Sequence, residues 1–258
     1  MESRPSVFKR AWAMLWARPA AYAVVAILPH VVILGLVMLI GRVVLRVPPQ
    51  ASEQDPMTLW QSMDWGSKLL IILAEVALIT VPAYVAARGI CRLALEQQKN
   101  VSVSLGTVLS DMLSFMPVAL LYFMVLGIVT FLGNILFVPG LLATTSFALI
   151  IPAGIDGQLG PLAAIRRGVS LVRPVFGRVL GAYACYLALI IGGLVVATIF
   201  LSVMSGDEGS SSGFPVPLGL WLLVALFAIA PLNIMFTLLY CEAREMNTSR
   251  MTAAGMSA

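Results

Sequence analysis

Charge is what this sequence has least of. Charged residues make up 11% of 258 residues, against 60% hydrophobic, where a soluble domain carries about 25% charged residues. Such a chain cannot cover a core with polar surface in water, so its bulk is expected to sit in lipid. Histidine is almost missing: His30 is the single one, which excludes most multi-His metal sites. The three cysteines, Cys91, Cys185 and Cys241, form no Cys-x-x-Cys pair, so neither a disulfide framework nor a zinc site is expected. No Walker-type phosphate loop and no His-Glu-x-x-His pattern occurs. Gly209–Gly213 reads GSSSG and formally matches a nucleophile elbow around Ser211. That pattern needs a strand before it, a helix after it and a nearby His and acid, so it reads as a flexible loop. A metal-dependent phosphodiester hydrolase needs several carboxylates and His around a cation, and none collect here. No enzyme, cofactor or metal is therefore expected.

What is present is a set of long apolar runs. A spanning helix needs about 20 apolar residues at 1.5 Å rise each. Six segments qualify at about 20–41, 69–87, 117–137, 140–155, 179–204 and 218–241. Pro139-Gly140 is expected to make the tight turn between the third and fourth. The first run begins after eighteen residues and is longer than a signal-peptide core, so it reads as an uncleaved anchor. With the N-terminus inside, thirteen Lys and Arg fall on cytoplasmic pieces and three (Arg42, Arg46, Lys68) on outer ones. This is a strong positive-inside bias, and it places both ends in the cytoplasm. The basic residues sit at the ends of apolar runs rather than on one patch, so they read as topology signals and phospholipid contacts, not as a nucleic-acid surface. Trp60, Trp65 and Trp221 fall at outer edges and Trp12, Trp16 and Tyr240 at inner ones, where amphipathic rings settle. The outer loop Arg42–Ser67 has room for a short helix, Met57–Trp65, whereas Ser205–Pro217 is a flexible polar loop. Residues 1–245 read as one membrane domain and 246–258 as a disordered tail.

Three inner segments share one design. Ser6–Arg18 places Phe8, Trp12 and Leu15 on a face beside Lys9 and Arg10. Ser104–Phe115 groups Leu105, Val108, Leu109 and Met112, with Asp111 opposite. Pro161–Phe176 groups Leu162, Ile165, Val169 and Val172, with Arg166, Arg167 and Arg173 around them. These are spacings for helices lying in the membrane interface. Each precedes a pair of spans, and Pro19, Pro117 or Pro174 follows near its end. The expected fold is an all-α polytopic membrane bundle of six transmembrane helices with three cytoplasmic-side interfacial amphipathic helices, in three weakly repeated units.

The second half carries a resemblance. Pro139-Gly140 opens the fourth span, Asp156 closes it, and a Gly160-Pro161 turn leads to Ala163, Ala164, Arg166, Arg167, Ser170 and Leu171. The last span ends in LLYCEAR, a Tyr-x-x-x-Arg close, at Leu238–Arg244. This pattern resembles uncharacterised six-pass bacterial inner-membrane proteins related to the "glycerophosphoryl diester phosphodiesterase membrane domain" group. The resemblance implies a fold and a bacterial inner-membrane location. It imports no enzyme, since this chain has no room for the soluble phosphodiesterase domain that some of those proteins carry.

Several polar residues have both a structural and a functional reading. Glu75 lies about 10 Å inside the second span, either as a hydrogen-bonded structural carboxylate or as a proton or cation site. His30 follows Pro29, and either bonds a backbone carbonyl freed by that proline or pairs with Glu75 as a proton site. Asn233 and Thr237 share a face of the sixth span and Asn134 lies in the third; they glue helices or line a polar path. Asp156 with Arg166 and Arg167 is expected to form an ion pair holding the surface helix, or with Arg173 to bind a lipid headgroup phosphate. Gly177, Gly181, Cys185, Gly193 and Ala197 form a small-residue stripe for packing within the chain or against another copy. The expected function is a non-enzymatic organising or accessory role at the inner membrane, with binding of anionic phospholipid. The alternative is a small transporter or permease for a lipid or polar solute. Partners are the phospholipid bilayer and another membrane protein or a second copy, through Gly177, Gly181 and Gly193.

Overall fold

The computed structural model describes residues 6–43, 61, 64–127, 144–204 and 229–253. Short polar side chains start its helices. The Ser6 hydroxyl accepts from Lys9 N at 3.4 Å and opens α1, Val7–Ala17. Pro19 then starts α2, Pro19–Val43, since proline suits a first helical turn, where its missing N–H costs nothing. Asp64 caps α3, Trp65–Gln98. Ser104 accepts from Thr107 N at 3.2 Å and opens α4, Leu105–Ser114. Phe115 joins it to α5, Met116–Tyr122, which loosens into a π turn at Phe123–Gly127. α6 is Ile150–Asp156 and α7 is Pro161–Val172. A 3₁₀ turn, Arg173–Val175, carries Pro174 and runs into α8, Phe176–Met204. α9 is Ala230–Ala253. No strand occurs among the described residues, so the described part of the chain is all-helical.

Among the described residues, no single helix is long and apolar enough to cross a membrane alone. Two bent pairs reach that length and composition together. Val7–Ala17 meets Pro19–Ile33 at 91°, and Leu105–Ser114 meets Met116–Leu126 at 51°. In both, an expected surface segment is hinged against an expected span next to the proline.

The long helix α3 is the hub. It packs against α2, α4, α5, α6 and α9. Gly89 makes part of this possible, because a Cβ there would collide with the Val25 side chain of α2 and with Met112 of α4. α7 lies on α6 through Gly168, where a Cβ would sit 2.7 Å from Ile150 Cα. α1 packs across α9, while α8 touches the rest mainly through α9.

Several expectations need correction. The helix that holds the second apolar stretch is longer than the stretch, since α3 continues to Gln98. Its far end closes on Asn100 at φ 54°, with Val101 N donating to Glu96 O at 2.9 Å, the usual left-handed helix stop. The fourth stretch is no continuous helix within its described part: a helical turn at 144–147 is separated from α6 by a turn at 148–149. α9 runs to Ala253, through residues 246–253 of the expected disordered tail. Once Ala230–Glu245 is anchored, each added residue gains one backbone bond without a new nucleus, and Thr248, Ser249 and Thr252 bond their own preceding turns.

The apolar rows of α1 and α7 are divided between the protein and its surroundings, with Leu15 and Val172 buried. α1 buries Ala11, Met14 and Leu15, while Phe8 is exposed and stacks on Trp12 at 6.1 Å. α7 buries Ala164, Gly168, Leu171 and Val172, while Leu162 is 73% exposed and Val169 38%. On α7 the close approach at Gly168 brings Ala164, Leu171 and Val172 inward, and Leu162 and Val169 turn outward. The Met57–Trp65 helix, Asn134, the Pro139-Gly140 turn and the loop with Ser211 lie outside the described residues, apart from Gln61, Asp64 and Trp65, of which Asp64 and Trp65 open α3.

Candidate functional site: the charged inner face

Three carboxylates organise the end of the bundle at which α1, α4 and α7 gather. Asp111, on α4, receives Arg88 Nε at 2.9 Å and Nη2 at 3.1 Å, and Arg92 Nη1 at 3.2 Å. Both arginines come from α3, one helical turn apart. Arg88 also lies 5.0 Å over the Phe115 ring, a cation–π contact. Arg92 turns its Nε to Glu96 at 3.1 Å. Burial pushes the Asp111 carboxyl up, but the hydrogen bonds and charges of Arg88 and Arg92 outweigh it and hold it below its usual value.

Asp156, at the end of α6, is the deepest of the three, with a side chain only 5% exposed. Lys99 Nζ donates to Oδ1 at 2.9 Å. Tyr240 OH donates to Oδ2 at 2.9 Å and Arg244 Nη1 to the same oxygen at 2.7 Å. α3, α6 and α9 are thus tied at one point. Burial again raises this carboxyl, and the hydrogen bonds of Lys99 and Tyr240 with the charges of Arg244 and Lys99 bring it below normal. Glu242, on α9, takes Arg10 of α1 at 2.9 Å and is also paired with Arg178 of α8.

The expected partners of Asp156 were Arg166 and Arg167, and the structure pairs it otherwise. Among the described residues no ion pair involves Arg166, Arg167 or Arg173, and all three are exposed. The cause is the turn after α6. Leu159 N bonds Gly154 O at 3.0 Å, and Gln158 adopts φ 47°. This folds α7 back along α6 by its Gly168 face, which turns the arginines away from Asp156. Arg166, Arg173, Ile165, Val169 and Ser170 instead line one shallow outward groove of about 480 Å³. The signal for the true partners was in the sequence. Tyr240 and Arg244 stand at i, i+4, so both reach one acceptor.

Three polar candidates of the apolar runs, His30, Asn233 and Thr237, bond within their own helices. Asn233 Nδ2 donates to Ile229 O and Thr237 Oγ1 to Asn233 O, both at 2.9 Å. His30 is buried, and its Nδ1 donates to Ala26 O at 2.8 Å. That is its own i−4 carbonyl, not the Val25 carbonyl that Pro29 leaves without its usual donor. Glu75 lies on α3, with its side chain outside the described residues. Among the described residues no group of three or more His, Cys, Asp or Glu side chains converges. Gly177 and Gly181 are exposed, with nothing within 4 Å of an added Cβ. The side chains at Gly193 and Ala197 are outside the description.

Comparison with protein-family models, with curated proteins and with solved structures found no match.

Proposed function

We propose that this chain is a six-span inner-membrane protein, with both ends cytoplasmic, that binds anionic phospholipid through α7 and has an organising or accessory rather than enzymatic role. The observation that carries it is the outward face of α7. Leu162 and Val169 are exposed there, and Arg166 and Arg173 flank them across a common groove. A row of apolar side chains edged by arginines suits a helix lying at a headgroup boundary, with the guanidinium groups on phosphates. The right-angle joint of α1 on α2 supports the same arrangement for the first unit, and Phe8, Trp12 and Trp16 form an aromatic ladder on α1. The exposed glycines of α8 suit a second copy or another membrane helix.

Each cation at an anionic surface contributes about 1 kcal/mol, so the three arginines together favour anionic lipid by about 3 kcal/mol, on the order of 100-fold. Native-lipid particles carrying wild type or Arg166→Ala/Arg167→Ala/Arg173→Ala test this. Mass spectrometry of the retained lipid should show anionic lipid enriched around the wild type and at bulk level around the triple variant. Equal lipid profiles would overturn the reading. A second reading, passage of a small polar solute, is favoured by a cavity of about 260 Å³ between α3, α5, α6, α8 and α9. Tyr84, Tyr122, Tyr183, Tyr186 and Asn233 stand in its otherwise largely apolar lining. Solute uptake lost in Asn233→Leu, with lipid retention intact, would move the assignment there.

A further inference from the structure

A second cleft, separate from the α7 groove, opens between α1, α8 and α9. Its volume is about 880 Å³. Its two long walls change character together. On α8 the wall runs from Arg178 to Gly181, Ala182 and Cys185. On α9 it runs from Glu242 back to Leu239 and Met235. Seven residues of helix are about 10 Å, so both walls pass from charged to apolar over the same depth, and both charged ends lie at the inner face. Gly181 leaves the wall open, since a Cβ there would meet nothing within 4 Å.

The mouth has a definite charge. Arg178, Arg250, Glu242 and Glu245 line it, and Arg10 is bonded to Glu242 from behind. Three cations stand against two carboxylates, leaving one net positive charge. Glu242 is already held by Arg10 and Arg178, while Arg250 makes no ion pair among the described residues.

We propose that this cleft is a binding site for one glycerophospholipid, its phosphate held at Arg250 and an acyl chain lying along Gly181, Cys185, Leu239 and Met235. A single charged head on an apolar tail matches a wall that is charged from Glu242 to Arg250 and apolar below Glu242. A free organic phosphate lacks the tail, and a diacylglycerol lacks the charge. The inference rests on the membrane reading above but not on the α7 arginines.

Cys185 supplies a native reporter. It is exposed in the cleft, whereas Cys91 is fully buried, with its thiol pushed up to about 12, and so labels slowly. The purified full chain in neutral detergent is treated with N-ethylmaleimide, and labelling at Cys185 is read by peptide mass spectrometry. Dioleoylphosphatidylglycerol at about ten times its dissociation constant should slow labelling about tenfold; dioleoylglycerol and glycerol 3-phosphate should not. Arg250→Ala should weaken this protection, and Gly181→Trp should abolish its lipid dependence. Arg166→Ala/Arg167→Ala/Arg173→Ala should keep it, so that failure of the α7 reading leaves the cleft standing. Equal protection by dioleoylglycerol would overturn the proposal, as would labelling that is slow before lipid is added. Labelling that slows with protein concentration alone would overturn it in favour of a second copy.

Discussion

Removing the Asp156 carboxylate is the sharpest perturbation of the inner face. Its two cationic partners are half exposed, Lys99 at 54% and Arg244 at 51%. Water recovers them, so each pair contributes only about 0.5 kcal/mol. Tyr240 differs, because the residue is fully buried. In Asp156→Ala its hydroxyl loses the acceptor, at about 1–3 kcal/mol. The total is about 2–4 kcal/mol, or roughly 4–16 °C in Tm at 2–4 °C per kcal/mol. Asp156→Asn keeps an acceptor for Tyr240 and loses only the charge, so about 1 kcal/mol and 2–4 °C are expected. Thermal unfolding of the detergent-solubilised chain, followed by circular dichroism, separates the two variants. Equal losses would show that the Tyr240 hydrogen bond contributes nothing and that the reasoning is wrong.

The same carboxylate fixes a pH dependence. Its folded pKa is lowered, by the hydrogen bonds and charges that outweigh its burial. A lowered folded pKa gives stability that is fully present above the unfolded value, about 3.9, and that is lost as pH falls through the folded value. Wild type and Asp156→Ala should therefore keep a constant gap from neutrality to about pH 5, and should converge only in stronger acid. A gap that closes above pH 5 would mean that burial, not pairing, dominates this site.

Two further outcomes follow from the packing around it. Gly168→Ala places a Cβ 2.7 Å from Ile150 Cα, and backbone cannot yield as a side chain does, so a loss of about 1–3 kcal/mol is expected; the check is the same melt, together with faster protease cleavage within α7. Asp111→Asn breaks the fork from Arg88 and leaves Arg88 and Arg92, 19% and 27% exposed, without their carboxylate. That should cost about 2 kcal/mol, more than Arg92→Gln, which spares the Arg88 fork, and equal losses would count against the bidentate geometry.

Helix starts were legible in the sequence, and direction around each helix only in part. Ser6, Ser104, Pro19 and Pro117 have the chemistry of helix starts, and they mark the breaks where the structure has them. Apolar spacing likewise found Val108 and Met112 on the buried side of α4. On α1 and α7 the spacing found an apolar row that the structure divides, because a period of 3.6 finds a stripe without saying what lies against it. On α7 the close approach at Gly168 selects which side faces the protein, and Leu162 and Val169 turn outward.

Ion pairing was illegible for a related reason. Arg10 reaches Glu242 across 232 residues and Lys99 reaches Asp156 across 57, separations that no local pattern encodes. Sequence neighbours suggested Asp156 with Arg166 and Arg167, but Gln158 and the Gly160-Pro161 turn intervene and reverse the chain. Six cations of the inner face, namely Arg10, Arg88, Arg92, Lys99, Arg178 and Arg244, are taken by carboxylates. Each of those pairs ties one helix to another, apart from the pairing of Arg92 with Glu96 inside α3. A cation so held is a structural brace. Arg166, Arg167 and Arg173 brace nothing among the described residues, and Arg166 and Arg173 flank exposed apolar side chains. That difference in pairing, rather than the number of basic residues, separates the charges that hold the bundle together from those available to a phosphate.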